Sequence, residues 1–208
     1  MMKRALILDL DNTIYPVSSI ADNLFKQLFE LIDQYSDEMD YENIERAKYE
    51  LTRRPYQLVA DECNFCEELK NKGMELLKNV TYDLPMKPYE AYQHIRTIPL
   101  HKFLVTTGFT KLQRSKIKML DIEGDFEEVH IVDPEVTDWK KKDVFQDIMD
   151  RHHYSPEDVL VIGDDPESEI KAAMELGIET FLFDHDNNYP YALVTYRNRH
   201  LKSVLQHL

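Results

Sequence analysis

Apolar and polar positions follow two different periods along this chain, and the changes of period divide it into three parts. Ala5 to Leu8 is an unbroken apolar run, the pattern of a strand covered on both faces, and it ends in the acids Asp9 and Asp11. From Ser18 to about Pro88 the period is helical. Ile20, Leu24, Leu28 and Leu31, widened by Phe25, Phe29 and Ile32, predict an amphipathic helix over 21–34. Ile44, Ala47 and Leu51 predict a second helix. Leu69, Leu76, Leu77 and Val80 predict a third, with Gly73 a weak point inside it. After Pro88, short apolar runs over 101–106, 128–132, 159–162 and 179–183 read as strands. They alternate with helices over 110–120, 140–152 and 168–176. Ser155-Pro156-Glu157 reads as a capped turn and Gly177 as a helix C-cap, while 192–196 and the short amphipathic end receive no assignment.

Alternating strands and helices predict an α/β protein with a mostly parallel sheet, interrupted after its first strand by an all-helical insertion of roughly 70 residues. Loops beyond the carboxyl ends of parallel strands form the binding crevice of such sheets. Three of these loops, 9–13, 106–108 and 163–169, carry small polar or acidic groups, and Gly108 and Gly163 stand directly after strands. Asp9 and Asp11, two apart on an extended backbone, face one volume unless a turn at Asn12 separates them. Like charges that close require a cation between them or a retained proton. Asp, Asn and Thr also form turns, so this pair taken alone fits a capped turn equally well.

Composition narrows the functional classes. The chain has 208 residues, 43% hydrophobic, enough to bury a sizeable core. A formal charge of -14 with no basic stretch argues against nucleic acid or an anionic membrane as partner. No segment approaches the ~20 apolar residues of a membrane span, and the apolar run after Arg4 is too short for a signal peptide, so a soluble cytoplasmic protein is expected. Cys63 and Cys66, the only cysteines, fall short of the four ligands of a structural zinc site. They lie in a helix-rich acidic stretch rather than at a strand-to-helix junction, and are read as partly buried free thiols.

Four stretches in a fixed order resemble the haloacid dehalogenase superfamily of phosphohydrolases. Asp9-Leu10-Asp11-Asn12-Thr13 is similar to its first motif, Thr106 after Phe-Leu-Val to its second, a lysine heading Lys-Lys-Lys-Asp-Val-Phe to its third, and Gly163-Asp164 followed by acids to its fourth. The resemblance implies a three-layer Rossmann-like core over 1–16 and 89–208 and a helical cap domain over 17–88. The run from Asp9 to Ile20 further resembles the branch containing pyrimidine 5'-nucleotidases.

The resemblance also implies a chemistry. Asp9 is the nucleophile that takes the phosphoryl group. Magnesium is held by Asp9, the backbone carbonyl of Asp11, and Asp164. Asp11 protonates the leaving oxygen and then deprotonates water; dehalogenases proper lack this second acid. Thr106, with backbone N–H groups near Thr107 and Gly108, holds phosphoryl oxygens; alone, Thr106 reads as an ordinary β-branched strand residue. Among the lysines, spacing from Val144 and Phe145 places Lys140 and Lys141 nearer the inner face and sends Lys142 outward. The family's spacing of four before the phenylalanine selects Lys141.

One departure stands out. Glu169 occurs where the family usually has aspartate, with Asp165 an extra acid nearby. Glu169 reads either as an outer partner of the metal site or as the acidic first turn of a helix, and Asp165 as its substitute. Tyr15 lies near the mouth of the site or packs the hinge. The expected activity is magnesium-dependent hydrolysis of a small phosphorylated metabolite, a nucleotide or sugar phosphate, by a monomer or weak homodimer. A phosphotransferase or mutase of the same fold, a dehalogenase, and a non-catalytic interaction module are the alternatives.

Overall fold

A computed structural model describes residues 2–36 and 39–208. Its centre is a strand, β1 (Ala5–Leu8), whose side chains are all buried. β1 pairs in parallel with β2 (His101–Thr107) on one side and β4 (Val159–Gly163) on the other. β2 carries β3 (Glu128–Val132), and β4 carries β5 (Glu179–Phe183) followed by β6 (Tyr196–Asn198). The order is β3-β2-β1-β4-β5-β6, every neighbouring pair parallel.

Helices cover both faces, which is why β1 and β4 read as continuous apolar runs. Ala5, Ile7, Phe103 and Val161 pack on Val144, Phe145 and Ile148 of the helix Lys141–His152. Leu6, Leu8, Leu104 and Ile162 point the other way, into a cluster shared with Ile117 and Leu120 of the helix Thr110–Leu120 and with the helical segment.

That segment contains α1 (Ala21–Leu24), α2 (Lys26–Asp33), α3 (Tyr41–Leu51), α4 (Tyr56–Glu62) and α5 (Glu67–Asn79), and α6 (Tyr92–Arg96) leads on into β2. The helices Thr110–Leu120 and Lys141–His152 are α7 and α8. The single helix expected over 21–34 is broken at Phe25, which leaves helical geometry at φ -95 and ψ 3. A stripe spread over Leu24, Phe25, Leu28 and Ile32 is wider than one straight face, and the break lets all four be buried. Gly73 in α5 is a packing site rather than a weak point. The Tyr56 ring lies where a side chain at 73 would begin, and its hydroxyl donates to Leu69 O at 2.8 Å.

The helix expected over 168–176 is instead a kinked turn, Pro166–Ile170, in which Ser168 leaves helical geometry at φ -107 and ψ -105, running into the short α9 (Lys171–Met174). Beyond β5 the chain adds β6 and a 3-10 turn, Leu201–His207, which buries Leu201 and Val204. No described helix is long and apolar enough to cross a membrane.

Candidate active site

The strand order reverses direction between β1 and β4, and in open parallel sheets the crevice lies at that switch, beyond the carboxyl ends. Asp9 follows β1 and Asp164 follows β4, so both acids flank it. Asp9 N–H donates to Ile162 O at 3.0 Å, which continues the ladder one residue past the strand and fixes the Asp9 backbone. Asn12 then adopts a left-handed conformation, φ 54, which asparagine tolerates better than most residues, and its Oδ1 accepts from Val17 N–H at 3.0 Å. The chain turns there toward the helical segment.

Lys141, at the start of α8, lies under Asp9: Nζ donates to Asp9 Oδ1 at 2.6 Å and to Glu169 Oε2 at 2.7 Å. All three side chains are buried. Lys140 is exposed and its backbone N–H bonds Asp143, while Lys142 pairs with Glu175 at the surface. Burial and the nearby Glu169 and Asp11 charges push the Asp9 carboxyl up to about 7, against the opposing pull of Lys141. Asp164 is likewise raised well above the usual range, by burial first and then by Glu169 and Asp9. Burial works against the Lys141 charge, but Asp9 and Glu169 outweigh it and hold the proton more tightly than in water.

Asp9, Asp164 and Glu169 can place one oxygen each within 4.8 Å of one another. Three carboxylates around a single ammonium leave excess negative charge in a buried place, and hard oxygen donors of that kind suit a divalent cation such as magnesium. The residues present therefore fit the metal. Glu169 belongs to this cluster directly, although it comes from a turn where a shorter acid was expected. Asp165 does not: its carboxylate accepts from Glu167 N–H at 2.8 Å and caps the turn that follows.

Asp11 is held apart from the cluster. Lys116 Nζ donates to its Oδ1 at 2.8 Å, Gln113 Nε2 to its Oδ2 at 2.8 Å, and the Tyr15 hydroxyl to its Oδ1. Burial alone would raise the Asp11 carboxyl, but the Lys116 charge and these hydrogen bonds hold it below its ordinary value. Gln113 Nε2 also lies 2.8 Å from Thr106 Oγ1 and 3.1 Å from Thr107 O. The Gly108 N–H, expected to face a phosphoryl group, instead donates to Val132 O at 3.1 Å, because the β2–β3 ladder extends that far. Gly108 contributes a wall without a side chain, at φ +145.

These groups share one cavity of about 190 Å³. Asp9, Asp11, Thr106, Lys141 and Asp164 line it from the sheet side, and Val17, Phe25, Leu51 and Leu77 from the helical segment.

Residues 3–177 match the family of haloacid dehalogenase-like hydrolases. The chain belongs to this family. The fold agrees: a protein of Lactobacillus plantarum provisionally assigned as a phosphoglycolate phosphatase superposes with TM-score 0.77 at 15% identity, covering all of both chains. The provisionally assigned hydrolase YfnB of Bacillus subtilis, solved bound to magnesium, superposes with TM-score 0.70 at 20% identity, over all of this chain and 99% of that one. A 2-haloacid dehalogenase of Pseudomonas syringae does so with TM-score 0.59 at 14% identity, over 99% of this chain and 97% of that one. No curated protein sequence matches the chain.

Within this hydrolase the motif-based reading missed Gln113 and Lys116. A signal was present: both fall on the α7 stripe that also carries Leu112, Ile117 and Leu120, and all five are buried. Polar residues on an apolar stripe mark a site or a buried pair. Tyr15, left between mouth and hinge, is fully buried beneath Asp11.

Proposed function

We propose that this hydrolase is a magnesium-dependent phosphatase acting on small phosphate monoesters. The observation that supports this most directly is that Asp9 and Asp11 open on one cavity, each held by its own lysine. Two carboxylates with different partners suit two different tasks: without a cation Asp9 holds a proton more readily than Asp11, and a divalent cation beside Asp9 would favour its ionised form while phosphoryl charge arriving beside Asp11 would favour its protonated one. In the first step an Asp9 oxygen bonds to phosphorus as the bond to the leaving oxygen breaks, and a proton carried by Asp11 passes to that oxygen. In the second step Asp11 takes a proton from water, the water oxygen bonds to phosphorus, and the bond to Asp9 breaks, which returns phosphate and the free carboxylate.

Lys141 holds Asp9 in place and, with the Thr106 hydroxyl, offsets the charge of the phosphoryl oxygens. Asp9, Asp164 and Glu169 would hold magnesium, with the Asp11 carbonyl as a further ligand; when bound, the ion offsets negative charge between carboxylate and phosphate. Asp165 supports the turn that presents Glu169. We read 17–88 as a cap domain whose apolar roof excludes water and contacts the leaving group. The presence of Asp11 favours a phosphatase over a dehalogenase, because a halide leaves without a proton.

The test is phosphate release from a panel of nucleotide, sugar and short-chain phosphates in magnesium, beside halide release from 2-haloacids. Phosphate release in water, absent with chelator and reduced at least about 10³-fold by Asp9→Asn, is the expected result. Halide release without phosphate release would overturn the reading.

A further inference from the structure

We propose that Gln113 and Lys116 are positioning residues that lock the Asp11 carboxylate in the orientation used for proton transfer; this rests on the phosphatase reading above. Both come from α7, outside the loops that carry Asp9, Asp11 and Asp164. A carboxylate offers about four lone-pair positions. Lys116 and Tyr15 take the two on Oδ1, and Gln113 takes one on Oδ2, so one remains, on Oδ2, for the travelling proton. The carboxylate cannot turn without breaking bonds to both α7 residues.

Gln113 makes a second connection. Its Nε2 donates to Thr106 Oγ1, and an oxygen that accepts keeps its own hydrogen free to donate elsewhere. One amide thus sets the spacing between the hydroxyl that would hold a phosphoryl oxygen and the acid that would serve the leaving oxygen. The amide's Oε1 finds no partner among the described residues, so its nitrogen side determines its orientation. Its seat depends on Gly108, where an added side chain would begin 3.3 Å from the Gln113 side-chain carbons.

Stability does not account for the arrangement. A partly buried ammonium–carboxylate pair of this kind often contributes no more than apolar packing of the same volume. Leu112 and Ile117, on the same face of α7, show that apolar side chains fit there. What Gln113 and Lys116 supply that leucine would not is a fixed Asp11.

The experiment compares kcat/KM, which reports the steps through phosphoryl transfer to Asp9, for an alkyl phosphate and for p-nitrophenyl phosphate. Nitrophenolate departs without a proton, so its reaction does not need a correctly placed acid. For Lys116→Met in magnesium, the alkyl value is expected to fall about 10²-fold or more and the nitrophenyl value by less than about tenfold. Lys116→Arg is expected to recover part of the alkyl loss. Gln113→Met, of similar length but without the N–H donors, should show the same selective loss, and it decides the matter if Lys116→Met fails to fold by circular dichroism. Equal losses on both esters, or none, would overturn the inference while leaving the phosphatase reading intact. A wild-type protein that hydrolyses neither ester would remove both.

Discussion

The Glu169 carboxyl group occupies the space in which a side chain on Gly163 would begin. Glu169 folds back from the kinked turn over the end of β4, where Asp165 N–H donates to Oε1 at 2.8 Å and Lys141 to Oε2 at 2.7 Å. Glutamate has one carbon more than the aspartate expected here. The extra length is absorbed by the kinked turn of Pro166–Ile170 and by the missing side chain at Gly163.

Gly163→Ala is therefore expected to displace Glu169. Magnesium affinity measured by calorimetry should fall, together with about 1–3 kcal/mol of stability from overpacking. Gly163→Ala/Glu169→Asp should be less impaired than the sum of the single changes, by a coupling of about 1 kcal/mol in urea unfolding. Wild-type magnesium affinity in Gly163→Ala would show that Glu169 does not hold the ion.

Lys141→Met leaves Asp9 and Glu169 buried with no cation beside them. Removing one member of such a group costs about 3–5 kcal/mol, or a fall in Tm of about 6–20 °C for a chain this size. Magnesium should restore part of that loss, because it neutralises the same acids. Scanning calorimetry in chelator and in magnesium checks both parts.

Proton linkage follows from Asp9, whose carboxyl is pushed up to about 7 in the metal-free protein from an ordinary 3.8. The folded state then binds this proton more tightly than the unfolded chain. The contribution of Asp9 to stability is fully present below about pH 4 and is lost as pH rises through about 7. Asp164 acts in the same direction. A bound cation must displace these protons, so the gain in Tm on adding magnesium should be small at pH 5 and level off above about pH 7.5. Asp9→Asn should flatten that profile.

Gly73→Ala tests the packing of the helical segment. Helix propensity alone predicts stabilisation of about 1 kcal/mol. The Tyr56 ring reverses the sign, because it must leave its place and its bond to Leu69. A loss of about 1–3 kcal/mol in urea unfolding is expected, and a gain would show that the ring moves freely.

Much of the fold was legible because its signals are local. A parallel strand covered on both faces must be apolar at every position, so β1 and β4 stand out as unbroken runs, and the helix 110–120 and the strands 128–132 and 179–183 appear with the expected limits. The acids and glycines that follow strands were visible for the same reason. Helical spacing separated Lys142 from Lys140 and Lys141, but only the family resemblance singled out Lys141, which lies beside Asp9. Strand β6 and the 3-10 turn left no such mark, since three half-buried residues and an irregular turn carry no period.

The sequence by itself determined the first five strands, the helices over 110–120 and 141–152, the family, and which acids stand at strand ends. Tertiary structure alone decided how those acids are partnered. Lys116 reaches Asp11 across 105 residues and Gln113 across 102, joined only because β2 pairs with β1 and sets α7 beside the first loop. The role of Gly73, the fold-back of Glu169 and the capture of the Gly108 N–H by β3 have the same origin. Each depends on which atoms share a space, and local periodicity carries no information about contacts made across the sheet.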